Sequence, residues 1–314
     1  MKKHIIIFLC GLMVVAGTAC KNENTPENKT VQKRHLTIKV QGDEGQSTKV
    51  APRRIPNATI DDMGTTLSAE WTAGDIASYC NLSRQEQDPM TETYAVYTGS
   101  LTAASTGKKS DLDGDVECLE EDYLAVVYPA NNTFEYISAG TQYFYTFPFT
   151  GQDGTLARIA NHYNQQYGRA HVLSVTDKNA EAVMDKMQSL LTVCKFSFQE
   201  KTTGDPIPVG TLTISYKTDD GSNGKYPQTG KVTVKVTDEN SDVKAEKEDV
   251  TAPLTITCAS ELDEVYVALL PEIASRTYNF TVTNNSGTYT GTASAWLKKG
   301  EFVPATGLKL TKND

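Results

Sequence analysis

Residues 190–198 read LLTVCKFSF, a run of apolar, β-branched and aromatic residues with one charged side chain, Lys195. This composition is typical of a β-strand, because such side chains pack well on a pleated surface. Similar runs separated by turn residues recur on both sides: HLTIKV (35–40), TYAVY (93–97), YLAVVY (123–128), YFYTFPF (143–149), TLTISY (211–216), KVTVKV (231–236), VYVALL (265–270) and TYNFTVT (277–283). Their spacing predicts an all-β protein built from antiparallel β-sandwiches joined by turns.

One segment next to the first run follows a helical period instead. Apolar residues recur three and four positions apart over residues 180–191, and Thr176 or Asp177 precedes them as an N-cap. The pattern predicts a helix that ends at the strand-like run. Because the apolar pattern restarts here after the polar stretch 161–166, we place a domain boundary between residues 187 and 188.

The start of the chain has the layout of an export signal. Lys2 and Lys3 precede an uncharged run of fifteen residues, Ile5 to Ala19, and Cys20 follows directly. The run is shorter than the roughly 20 residues that a membrane-spanning helix needs. A cysteine after small residues predicts a bacterial lipoprotein signal over residues 1–20, with Cys20 as the acylated new N-terminus. Cleavage of an ordinary secretory signal nearby is the alternative.

The remainder divides by composition into a tether and two domains. Residues 21–34 are polar and include a proline, which predicts a flexible tether. The roughly 280 residues that follow exceed one small sandwich and match two domains of ordinary size. We therefore expect an N-terminal β-domain over residues 35–187 and a C-terminal β-domain over residues 188–314.

Charge and residue types exclude several functions. The mature chain has 28 basic and 39 acidic residues, a net charge of −11, which argues against nucleic-acid binding. After the signal only His35, His162 and His171 remain, without metal-ligand spacing, and no Gly-x-Ser-x-Gly elbow is present. We therefore expect no catalytic residue, cofactor site or metal site, and no enzymatic activity.

The acidic cluster and the cysteines receive structural interpretations. Asp111, Asp113, Asp115 and Glu117 alternate in DLDGDVE, but their order differs from that of a calcium-binding EF-hand loop. We interpret them as a solvated turn that leads into a strand at Glu117. Four cysteines lie in or beside strand-like runs with no Cys-x-x-Cys pair, which predicts free, buried, hydrophobe-like thiols: Cys80, Cys118, Cys194 and Cys258. Disulfide pairing in any of three connectivities is the alternative for an exported protein.

Three short patterns resemble the fimbrillin family of Bacteroidia-type envelope proteins, the type V pilins. The first runs from Trp71 to Ile76 (WTAGDI) with Tyr79 after it, where Gly74-Asp75 should form a tight turn that delivers Ile76 into a strand while Trp71 packs across it. The others are YLAVVYP (123–129) and VYVALLP (265–271), the latter followed by a strand-like run and Gly300. The resemblance implies two tandem transthyretin-like β-sandwich domains.

The resemblance also implies how such a protein assembles. In type V pilins a lipidated precursor is exported, its first strand is cut off after a basic residue, and a strand of the next subunit fills the vacated groove. Donor-strand addition works because unpaired strand edges and an apolar groove accept an alternating segment. The implied partners are other pilin subunits, outer-membrane lipid through Cys20 and an unidentified surface ligand, at the outer membrane or in a fimbrium.

Both parts of such an exchange have candidates in this sequence. Leu36, Ile38 and Val40 alternate on one face of the candidate displaced strand, and the loop that follows contains the candidate cleavage sites Lys49, Arg53 and Arg54. The candidate donor is FVPATGLKL (302–310), in which Leu308 and Leu310 face one way while Pro304 and Gly307 favour an edge strand or a bend. The alternatives are a plain solvated loop and the plain last strand of the second domain.

Two functions from different classes follow. The first is a structural or adhesive subunit, or the anchor, of a type V-like pilus. The alternative is a cell-surface glycan-binding lipoprotein accessory to nutrient uptake, with Trp71, Trp296 and some of the fifteen tyrosines as a sugar-stacking face. Aromatic residues also pack sandwich cores, and we expect most of these side chains to do so.

Lipidation at Cys20 is directly testable. Cys20→Ser removes the thiol to be acylated, so we expect the protein to leave the membrane fraction or to stay as unprocessed precursor, because the mature domain then has no acyl chain to anchor it. Metabolic labelling with a fatty-acid analogue and cell fractionation measure this. Cys10→Ser, within the signal, is the matched control, and absence of label on the wild-type protein would contradict lipidation.

Overall fold

The computed structural model describes residues 31–40, 70–87, 94–130, 134–137, 142–185, 187–217, 224–235, 240–245 and 250–313. Residues 31–314 form one compact unit. Within the described ranges, no helix has the length and apolar character needed to cross a bilayer.

Strands dominate the first part of the chain. They are β1 (Gln32–Val40), β2 (Ile76–Gln87), β3 (Tyr94–Ala103), β4 (Leu112–Cys118), β5 (Tyr123–Tyr128), β6 (Glu135–Ile137), β7 (Gln142–Pro148), β8 (Gln166–Val175), β9 (Asn179–Met184) and β10 (Gln188–Ser189). A short helix α1 (Leu156–Arg158), which continues as a π-helical turn (Ile159–Tyr163), precedes β8.

The rest of the described chain is made of strands and their connections. They are β11 (Thr192–Glu200), β12 (Pro206–Ile207), β13 (Val209–Tyr216), β14 (Thr229–Lys235), β15 (Asp242–Ala245), β16 (Leu254–Leu262), β17 (Val265–Leu269), β18 (Arg276–Asn284), β19 (Gly287–Ala295) and β20 (Phe302–Lys312). The predicted all-β class is therefore confirmed.

The first sheet closes on itself. Its order is β10-β8-β5-β2-β3-β4-β1-β9, and β9 also pairs with β8, so that the strands from β8 round to β9 form a ring. Every neighbour pair is antiparallel except β1 and β9. Closure removes the unpaired edges that an open sheet would present. The interior is filled by one apolar cluster that includes Leu36, Ile38, Leu112, Val116 and Leu124.

The second sheet is built from the later strands. Its order is β12-β11-β20-β19-β18-β13-β16, and β17 pairs with the side of β11 that faces away from β20. Its pairs are antiparallel except for β11 with β20. The chain passes from the first sheet to the second between Ser189 and Thr192.

A third sheet joins the two halves. Its order is β15-β14-β7-β6, so β7 from before residue 187 pairs along its length with β14 from after residue 188. The larger apolar core is likewise shared, since it extends from Cys80 and Ala125 of the first sheet to Phe280 and Leu310 of the second. The division into domains at residues 187 and 188 stays a prediction.

The turn before β2 confirms the local prediction made from WTAGDI. Gly74 has φ +89, a conformation that glycine adopts without strain, and the Asp75 amide donates to the carbonyl of Thr72 at 2.9 Å. The buried Asp75 carboxylate accepts from the Thr72 amide at 2.8 Å. Trp71 is also buried and packs edge-on against Tyr128, with 5.4 Å between ring centroids. Strand β2 then begins at Ile76.

The predicted helix over residues 180–191 is wrong. Residues 179–184 form β9, in which Ala180, Ala182 and Met184 are buried on alternate positions, and Gln188–Ser189 form β10. Alanine and methionine favour helices as isolated residues. Pairing with β1 on one side and β8 on the other overrides that preference, because it satisfies the backbone groups of both neighbours.

The prediction of free, buried cysteines is confirmed: Cys80, Cys118, Cys194 and Cys258 are all buried and unbridged. Burial disfavours the thiolate, and it raises the pKa of Cys118 to about 11. Burial likewise raises the pKa of the Tyr79 hydroxyl to about 12. These groups therefore hold their protons to higher pH in the folded chain than in the unfolded one.

Alkaline pH should consequently destabilise the fold. A raised folded-state pKa contributes stability that is complete below the ordinary value, 9.0 for a thiol and 10.0 for a tyrosine, and that is lost as pH rises above it. We expect urea midpoints that agree at pH 7 and pH 8 and fall at pH 10 and above. Cys118→Val, which removes one such proton, should reduce the fall, and a flat profile would contradict the assignment.

Candidate functional site

The candidate displaced strand, β1, fills a slot between β4 and β9. Residues 32–38 pair with β4 in antiparallel register, and residues 35–40 pair with β9 in parallel register. Both edges of β1 are therefore hydrogen-bonded, although it is the first strand of the described chain. If β1 were removed, the facing edges of β4 and β9 would lose their partners.

The inward face of β1 is apolar and tightly enclosed. Leu36 and Ile38 are each 0% exposed, and Val40 is half-buried against the same cluster. The alternation predicted for these three residues is therefore seen. Burying the two enclosed side chains is worth about 3 to 6 kcal/mol before the entropy cost of ordering the strand.

A buried arginine ties β1 to its surroundings. The Arg34 guanidinium donates from Nε to the carbonyl of Thr176 at 2.7 Å and from Nη1 to the carbonyl of Cys118 at 2.6 Å. A third contact joins Nη1 to the carbonyl of Gln32 at 3.1 Å. These contacts join β1 to the end of β4 and to the turn before β9. They are not predictable from the sequence, because the partners are distant in the chain.

The outward face of β1 lies against carboxylates. The hydroxyl of Thr37 donates to Asp113 Oδ1 at 2.7 Å, and Lys33 Nζ and His35 Nδ1 lie 3.8 and 3.7 Å from the Asp115 carboxylate. The interpretation of this acidic cluster as a turn is wrong for Asp113 and Asp115, because both lie within β4. Their alternation with inward-facing apolar residues was a strand pattern of period two. In the part of the chain that the structure describes, no group of side chains is arranged to hold a metal ion.

The lipidation and processing candidates lie outside the described residues. These are Cys20 and the basic residues Lys49, Arg53 and Arg54. Strand β1 ends at Val40, and the described chain resumes at Glu70, just before β2. The three basic residues therefore lie on the connection between the slot-filling strand and the rest of the ring.

The candidate donor, β20, is the last strand of the second sheet. It pairs with β11 along residues 302–310 and with β19 only through Thr311 and Lys312. Leu310 is buried and Leu308 is half-buried, both against the larger core, so the two leucines do share a face. Gly307 has φ +68 beside a register irregularity in the pairing with β11, which agrees with the predicted bend.

The two tryptophans, both candidates for a sugar-stacking face, differ in exposure. Trp71 is buried, whereas Trp296 is 52% exposed and lies beside a loop that contains Ile273, which is 96% exposed. The Trp296 indole N–H donates to the carbonyl of Glu272 at 2.8 Å, and Glu272 in turn accepts from Tyr216 and Arg276. Most other rings pack in the core, as expected.

Comparison with known proteins finds only distant likeness. No family model and no curated protein matches the sequence. A candidate cell adhesion protein of Bacteroides uniformis aligns over 85% of each chain at 13% identity with a TM-score of 0.43. A candidate cell adhesion protein of Bacteroides eggerthii aligns over 90% of this chain and 91% of its own at 10% identity, TM-score 0.38. The shaft pilin SpaA of Lactobacillus rhamnosus GG aligns over 91% and 99% at 13% identity, TM-score 0.30.

The burial of β1 leads to a stability prediction. Leu36→Ala should lower the free energy of unfolding by about 2 to 4 kcal/mol, because it leaves a cavity inside the closed ring. Lys39→Ala, an exposed change on the same strand, is the matched control and should alter it by less than about 0.5 kcal/mol. Urea unfolding followed by tyrosine fluorescence measures both, and equal midpoints for the two variants would show that β1 does not contribute its side chains to the core.

Proposed function

We propose that the protein is a non-enzymatic structural or adhesive subunit, or the anchor, of a type V-like pilus, exported as a lipoprotein acylated at Cys20 and assembled at the outer membrane by strand exchange. The observation that carries the proposal is the position of β1. It is an N-terminal strand, paired on both edges, whose Leu36 and Ile38 fill the interior of a closed ring.

Such a strand is suited to replacement by another. Its removal would leave two unpaired edges and an apolar floor, which together form an acceptor for any extended segment of alternating apolar residues. The connection that follows β1 carries Lys49, Arg53 and Arg54, so one cleavage by a protease with trypsin-like specificity would turn β1 into a non-covalent ligand. A strand of a second subunit can then compete for the slot, because β1 is no longer covalently held there.

The proposed assembly predicts a cleavage-dependent oligomer. Limited trypsin treatment of the mature protein should yield SDS-resistant ladders and high-mass species on size exclusion, while the uncleaved protein stays monomeric. A variant in which Lys49, Arg53 and Arg54 are all replaced by Gln is the uncleavable control. Leu308→Asp should suppress the ladders, because a charge without a partner is costly in an apolar groove.

Point substitution is preferable to deletion of the donor. Strand β20 pairs with β11 along most of its length, so its removal would strip a strand from the second sheet. Leu308 is only half-buried in its own chain, and Leu308→Asp should therefore leave the monomer folded. If cleaved wild-type protein remains a stable monomer, the pilus-subunit proposal is withdrawn.

One observation favours the second candidate, a glycan-binding surface lipoprotein. The exposed Trp296 is held by its indole N–H, which fixes the ring as a platform on which a sugar could stack. Polysaccharide affinity of the uncleaved monomer that is lost in Trp296→Ala would support this function in place of assembly.

A further inference from the structure

Carboxylates line both sides of the slot that β1 occupies. On the β4 side, Asp113, Asp115 and Glu117 stand opposite Thr37, His35 and Lys33 in the antiparallel register. On the β9 side, the exposed Glu181 stands opposite Thr37 in the parallel register. Within these two registers, the position of Thr37 is the one with a carboxylate on each side.

Thr37, the residue at this position in β1, hydrogen-bonds to one of the two carboxylates, that of Asp113. Thr37 donates a single hydroxyl hydrogen bond to Asp113, at 2.7 Å. Among the basic side chains of β1, Lys33 lies on the outward face with its Nζ 3.8 Å from the Asp115 carboxylate, whereas Arg34 is buried. An ammonium group at position 37 would meet two carboxylates, whereas a carboxylate there would be repelled by both.

We infer that Asp113 and Glu181 form a cation receptor that selects the strand replacing β1, and that the group it takes is Lys309 of a second copy of this chain. The inference rests on the proposed function and adds the chemistry by which the acceptor recognises its donor. It is carried by the register of three strands and by charge complementarity.

The register follows from the two leucines of β20. If Leu308 and Leu310 enter the sockets of Leu36 and Ile38, the residue between them takes the place of Thr37. This holds whichever way the donor strand runs, because the side-chain period of a strand is two residues and the central position is common to both directions. That central residue is Lys309.

Strand β20 pairs with β11 along most of its length but buries few of its own side chains. Of its eleven residues only Phe302 and Leu310 are buried, and its pairing with β19 is confined to the last two positions. Lys309 is exposed and donates to Gln199 Oε1 at 2.6 Å, a neutral acceptor on the neighbouring strand. In the acceptor slot the same ammonium group would face two anions instead.

Charge also favours this occupant over an uncharged one. Departure of β1 removes Lys33 and Lys39 from the outward face of the slot and leaves Asp113, Asp115, Glu117 and Glu181 to repel one another. A strand that brings a cation relieves this repulsion.

The receptor is testable in the full-length monomer, without assembly. Thr37→Lys, Thr37→Gln and Thr37→Glu all lose the hydroxyl and have long side chains, so they differ mainly in charge. We expect melting temperatures in the order Lys, Gln, Glu from highest to lowest in about 50 mM salt, with the differences much reduced in about 1 M salt, where the screening length is near 3 Å. A Glu variant as stable as the Lys variant at low salt would overturn the receptor.

The selection of Lys309 is tested in the assembled state. Labelled peptides with the sequence of residues 303–314, carrying either Lys309 or Lys309→Glu, are titrated into the trypsin-cleaved protein. We expect the Glu peptide to bind on the order of tenfold more weakly, because attraction to two carboxylates becomes repulsion. An acceptor with Asp113→Lys and Glu181→Lys should reverse the preference. A peptide with Val303→Glu is the matched control, because its charge lies beyond the paired length of the slot whichever way the strand runs.

The outcomes separate the inference from the proposed function. Binding of both peptides with equal affinity would overturn the charge selection and leave strand exchange standing. Binding of neither peptide, with no ladder from the cleaved protein, would overturn both, since a receptor would then have no strand to receive. A reversed preference in the charge-swapped acceptor would establish that Lys309 lies between residues 113 and 181.

Discussion

The first sheet depends on one constraint: every strand edge inside it must be paired. Strand β1 meets that constraint by joining β4 to β9, and through β9 it joins the whole array back to β8. Because the ring closes only through β1, the interior apolar cluster is sealed by a segment at the very start of the described chain. An unpaired backbone group in such an interior is costly, so the slot is stable only when it is filled.

Elements whose conformation is set by neighbouring residues in the chain were predictable from the sequence. Elements whose conformation is set by pairing with distant strands were not. Strand runs such as YLAVVY and the turn at Gly74 follow from side-chain alternation and backbone conformation, which few neighbours can alter. Strand β9 was mistaken for a helix because alanine and methionine carry helical preference, while its partners β1 and β8 supply the decisive pairing. The charge of the β4 carboxylates suggests a turn, whereas their alternation with the apolar Leu112 and Val116 is the pattern of a strand.

Of the candidate site, only the strand β1 itself was predictable from the sequence, and not the strands that flank it. Leu36, Ile38 and Val40 showed their apolar face in the sequence, so β1 was identifiable as a strand with something to bury. Its neighbours were not identifiable, since β9 begins about 140 residues later and a parallel pairing over that separation leaves no local pattern. Glu181 therefore became part of the site only through the register between Thr37 and β9.

In the proposed exchange, an incoming strand could enter the apolar slot in more than one register, and charge can select among these registers. A slip of one residue would turn the apolar face of an incoming strand outward, so burial alone excludes it. A slip of two residues keeps the apolar face inward, although it moves one leucine to the position of Arg34 or of Val40. The outward face is sensitive to the slip. If the central side chain moves from position 37 to position 35, it leaves Asp113 and Glu181 and lies between Asp115 and the neutral Asn179. Under the proposed exchange, paired carboxylates at one position would therefore add to burial in favouring one register of the incoming strand.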